Sequence, residues 1–62
     1  MTRDQELWGM AATLLRHHGD KAPLRVAERI GALAMQGEMG GVELWREVAR
    51  RMLALTAQAG KA

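Results

Sequence analysis

His17 and His18 stand side by side, with Asp20 two residues beyond, the one place where imidazole and carboxylate gather in this sequence. His and Asp are ordinary ligands for zinc. Neighbouring helical positions, however, point about 100° apart, so the two rings cannot close on one ion while the segment is helical. Two ligands at a fraying end are too few for a structural zinc, and no metal is expected. The plainer reading puts His18 at the edge of an apolar stripe and His17 in solvent near the negative end of a helix.

Covalent catalysis has little material. The sequence has no Cys and no Ser, so its aliphatic hydroxyls are those of Thr2, Thr13 and Thr56. Paired-carboxylate chemistry needs two acids facing a cleft. Glu28, Glu43 and Glu47 instead fall on charged outer faces, where Glu43 with Arg46 and Glu47 with Arg51 have ion-pair spacing. So short a chain is also expected to lack a pocket of about 300 Å³. No catalytic residue and no cofactor is expected; the sequence does not read as an enzyme.

Arginines offer a further chemistry. Arg46, Arg50 and Arg51 on a final helix could contact phosphates, with Arg25, Arg29 and Lys61 in support. Three helices with a glycine-containing turn would then act as a small helix-turn-helix regulator. Against this, Glu43 and Glu47 share the exposed face, which also lacks Ser, Asn and Tyr. Lys and Arg number nine against seven acids, and the excess divides evenly between the halves of the chain. Nucleic acid is therefore the second reading.

The elements that must position these side chains are helices. Ala and Leu dominate, β-branched residues are few, and no stretch alternates as a half-buried strand would. Thr2 with Gln5 has capping-box spacing and starts helix 1 over about 3–18, with Gly19 as its stop. Asp20 is expected to cap helix 2, over about 21–36, with Pro23 tolerated in its first turn and Gly37 as its stop. Helix 3 spans about 41–58. The expected architecture is all-α, one domain, a compact three-helix bundle.

Apolar stripes fix the expected core. They run through Leu7, Trp8, Ala11, Leu14, Leu15 and His18, then Val26, Ala27, Ile30, Leu33 and Ala34, then Val42, Trp45, Val48, Ala49, Met52, Leu53 and Thr56. Trp8, Trp45, Leu15, Ile30 and Leu33 are its expected anchors. Gly9 and Gly31, inside helices, are expected where a neighbouring helix or ring comes close.

These residues resemble a known type. His18-Gly19-Asp20-Lys21-Ala22-Pro23, then Ala27-Glu28-Arg29-Ile30 and Leu33, then Gly37-Glu38, Gly41 and Trp45 are similar to a group of short bacterial helical proteins of unknown function. Their pattern is H-G-x-x-A, then A-x-R, then G-D-x-x-G-x-x-x-W, and the likeness spans about Trp8 to Leu55. Glu38 stands where Asp is usual, which leaves the start of helix 3 loose, and Val48 stands for a larger Ile. The resemblance implies a compact helical unit and carries no activity.

A small chain buries only about 60% of its unfolded surface and is marginal unless something helps. Without cysteine, helix packing and self-association remain. Leu24, Met35, Leu44 and Leu55 lie outside the main stripes, and Arg25 and Arg29 could form a polar rim. The expected function is a protein-interaction surface on helices 2 and 3, serving a homodimer or another protein. The first residues lead into no long apolar run, and no stretch without a charge exceeds nine residues, as at Leu7 to Leu15. Neither a signal peptide nor a membrane span is expected, and absence of cysteine fits the cytoplasm.

Overall fold

Thr2 sets the first helix. In the computed structural model, which describes residues 2–59 (the Ala59 side chain excepted), the Gln5 N–H donates to Thr2 Oγ1 and the Thr2 N–H donates to Gln5 Oε1, each at 3.2 Å. This reciprocal capping box opens α1, Arg3–His18. Asp4 and Glu6 lie in its first turn and Arg16, His17 and His18 in its last, a placement that suits the helix dipole.

Gly19 adopts φ 56° and its N–H donates to the Leu15 carbonyl. The chain then passes through one 3-10 turn, Gly19–Lys21, straight into α2, Ala22–Met35. Asp20 does not cap α2, contrary to expectation. The Ala22 N–H donates instead to the Gly19 carbonyl, so the turn's own backbone supplies the first acceptor. Pro23 sits in the opening turn of α2, where its missing N–H costs nothing.

Gly37, at φ 76°, ends α2 in a Schellman arrangement: the Glu38 N–H donates to the Leu33 carbonyl at 2.9 Å and the Gly37 N–H to that of Ala34 at 3.1 Å. Helix α3, Met39–Ala59, starts at the early edge of the loosely expected start, between Met39 and Val42.

The described chain is all-helical, but it is not three separate helices. Gly19, at φ 56° and ψ −128°, interrupts the helical path and the 3-10 turn resumes it without a loop, so α1 and α2 are two arms of one long segment bent at Gly19–Lys21, and α3 is the second body. Most of the packing runs through α3, which lies against both arms; the arms touch each other far less. The bend at Gly19–Lys21 leaves the two arms opened as a V, and α3 fills the space between them.

Among the described residues, seven form the buried core: Leu7, Ala11, Ala22, Val26, Val42, Val48 and Met52. Of the expected anchors, Trp45, Leu15 and Ile30 are half-buried and packed against it, and Leu33 is half-buried beside Gly41. Trp8 is not a core anchor: it is 36% exposed at the margin of α1. Leu53, Ala27, Ala34, Thr56 and His18 are exposed as well, because a helix closing a V presents only a narrow seam to each arm. Among the described residues no helix is long and apolar enough to cross a membrane.

Candidate interaction surface

Two faces of α3 carry different chemistry. Towards α1, Arg51 is the organising side chain, only 16% exposed. Its Nη2 donates to Asp4 Oδ1 at 2.6 Å, while Nη1 donates to Glu47 Oε2 at 2.9 Å and to the Glu47 carbonyl at 3.1 Å. The guanidinium also lies 5.8 Å from the centre of the Trp8 ring, within cation–π range. The result ties the first turn of α1 to the middle of α3. The Arg51 hydrogen bond holds the Glu47 carboxyl below its ordinary range, with the charges of Arg50, Arg51 and Arg3 adding to the effect and burial opposing it. Arg51 is shifted up, first by its bond to Asp4 and then by its bond to Glu47.

Towards α2, α3 leaves an apolar groove of about 210 Å³, whose lining includes Pro23, Ala27, Ile30, Ala49, Met52 and Leu53. No charged residue lines it. Leu53 is 62% exposed, and Leu24, one turn before Ala27 on α2, is 57% exposed. Met35, at the far end of α2, is 91% exposed. Three steps of the helix therefore bring Leu24, Ala27, Gly31 and Ala34 along one outward row, all exposed.

Other hollows exceed the 300 Å³ the sequence was not expected to provide. One of about 480 Å³ lies between the start of α1 and the start of α3, among Arg3, Glu6, Met10, Gly40, Gly41 and Leu44. Another of about 340 Å³ is bordered by Arg3, Glu43, Arg46, Glu47 and Arg50, with charges of both signs. Both are open surface depressions rather than enclosed cavities.

A family of unknown function, DUF6961, matches residues 3–60. The chain belongs to that family. No curated protein and no solved structure matches it. The DUF6961 match takes in both faces of α3 and the whole bent segment, and the family brings no activity with it.

In this DUF6961 chain the expected interface residues separate into two pairs. Leu24 and Met35 stand outward on α2, whereas Leu44 and Leu55 are half-buried and packed against the core. Leu44 and Leu55 therefore do not form an outward row; their positions face the seam with α1, and Leu53, assigned to the core stripe, takes the exposed place. Arg25 is exposed and paired with Glu28 at 3.1 Å. Arg29 is exposed and lies 5.9 Å from the centre of the Trp45 ring, so it shields the tryptophan as well as bordering α2.

The phosphate-contact trio is not assembled as expected. Arg51 turns inward to Asp4 and Glu47, and Arg50 pairs with the same Glu47, leaving Arg46 exposed. Lys61 lies outside the described residues. The Glu47–Arg51 pair forms, but Glu43 and Arg46 make no ion pair among the described residues. The His17 and His18 rings are 6.5 Å apart and tilted, both exposed. The sequence reading missed the Asp4–Arg51 bridge, and nothing in a separation of 47 residues announces it.

Proposed function

We propose that the protein is a non-catalytic helical interaction module that self-associates through the α2–α3 face. The carrying observation is the uncharged groove between α2 and α3, lined by exposed Leu53 and Ala27, with the outward row of Leu24, Ala27 and Ala34 beside it on α2. Isolated exposed leucines are ordinary on protein surfaces; an uncharged groove that shares Ala27 with a row of exposed apolar residues makes a larger apolar patch, and such patches mark contact sites.

A second copy is the proposed occupant, since two-fold self-pairing is the commonest closed arrangement of soluble oligomers and so small a chain without cysteine has helix packing and self-association as its remaining sources of stability. The cysteine-free sequence suits a reducing compartment, and the proposed setting is the cytoplasm.

Sedimentation velocity of the wild type against Leu24→Glu and Leu53→Glu tests this reading. The wild type is expected to sediment as a dimer and each variant as a folded monomer, because a carboxylate in an apolar contact must be desolvated. Variants that sediment like the wild type would remove the α2–α3 face from the account.

A further inference from the structure

We infer that a second apolar surface, between α1 and α3, takes an amphipathic helix of another protein whose apolar face is flanked by acidic residues. This surface is separate from the α2–α3 face proposed above and does not depend on self-association. A hollow of about 480 Å³ is lined by Gly9, Met10, Thr13 and Leu14 of α1 and by Trp45 of α3, with no charged side chain among them. It is an open trough, which suits the side of a helix better than a small molecule, since small ligands are mostly enclosed. Met10, Leu14 and Trp45 are half-buried, packed against the core while still lining the trough. Methionine adapts to a partner's side chains, and the indole supplies a large apolar contact. The close neighbour expected at Gly9, as at Gly31, is absent within the chain: a Cβ built at either meets nothing within 4 Å.

Charge decides the kind of partner. Arg16 is exposed, and its Nη2 lies 3.5 Å from Oγ1 of Thr13, a lining residue. Arg29, reaching over from α2, stands 5.9 Å from the centre of the Trp45 ring, also part of the lining. Arg25, Arg50 and Arg51 have carboxylate partners, whereas Arg16 and Arg29 make no ion pair among the described residues. Two unpaired cations beside an uncharged floor repel a basic partner and attract one with carboxylates along its flanks.

A second copy offers no such helix. Among the described residues the acids without an ion pair are Glu6, Asp20, Glu38 and Glu43, and no helix of the chain carries two of them. The occupant is therefore a different protein.

Two synthetic amphipathic helices test this, alike in their leucine face and flanked by Glu in one and by Lys in the other. The readout is fluorescence of a Trp8→Phe chain, in which Trp45 is the sole indole. The Glu helix is expected to shift Trp45 emission to shorter wavelength and to bind about tenfold or more tighter than the Lys helix, with the preference shrinking as salt rises. Arg16→Gln combined with Arg29→Gln should bring the two helices within about twofold of each other. Gly9→Glu puts a carboxylate in the trough and should remove binding of the Glu helix while circular dichroism shows the fold intact. Leu53→Glu, on the other face, should leave the affinity unchanged. Equal affinity for the two helices, tighter binding of the Lys helix, binding unmoved by Gly9→Glu, or no binding of either overturns the inference. So does a wild-type dimer dispersed by Gly9→Glu, which would seat a second copy in the trough. Binding of phosphatidylglycerol vesicles in place of the Glu helix would seat a membrane surface there and overturn it too.

Discussion

Arg51 illustrates how much a single side chain can do in a chain with a small core. It bonds across α1 and α3, covers Trp8, and depresses the Glu47 carboxyl. The sign of the pH effect follows from that depression. A carboxyl whose folded pKa lies below its unfolded value contributes fully above the unfolded value, and the contribution is lost as pH falls through the folded one. The ordinary value is 4.5, so the window lies below that pH. Thermal melts between neutral and acidic pH should therefore show the wild type losing stability below this point, and Arg51→Met losing less from a lower starting value. Parallel curves for the two proteins would show that the pair is energetically idle. The (i, i+4) spacing of Glu47 and Arg51 is readable in sequence, whereas the reach to Asp4 exists only after α3 has packed on α1.

At the scale of elements, local chemistry sets the boundaries. The Thr2–Gln5 box and the glycines at φ 56° and 76° act within a few residues, and for this reason the limits of α1 and the end of α2 can be read from the sequence. Thr2→Ala should cost about 1 kcal/mol in chemical denaturation by exposing the first N–H groups of α1; no change would show that the cap is dispensable. The role of Gly41 depends on a neighbour from another element. A Cβ there would lie 3.2 and 3.3 Å from the two terminal carbons of Leu33. Gly41→Val should accordingly destabilise by roughly 1–3 kcal/mol through overpacking, and a variant as stable as the wild type would mean that Leu33 yields freely. What cannot be read locally is the continuity of α1 and α2. Asp20 has the type of a cap, yet the backbone of the 3-10 turn takes that place and turns two expected helices into one bent segment.

For the whole molecule, the bent segment decides which apolar residues are covered. Helix α3 fills the V, drawing Leu44 and Leu55 towards the core while Leu53 and Leu24 remain on the open side. Periodicity identifies an apolar stripe but cannot say which edge of it a neighbour will cover, so Leu53 and Leu55 exchange their expected places. The same limit applies to Trp8, whose size favours burial and whose position at the margin of α1 leaves it under Arg51. Seven of the described residues are buried, while Leu24, Met35, Met39 and Leu53 stand exposed, so one copy leaves much of the apolar surface of its helices uncovered. The most direct test of that claim is the mass in solution by light scattering across a tenfold dilution at neutral pH. The account predicts a particle of twice the 6.8 kDa chain mass at the higher concentrations, shifting towards the single chain on dilution. A mass of one chain throughout would contradict it.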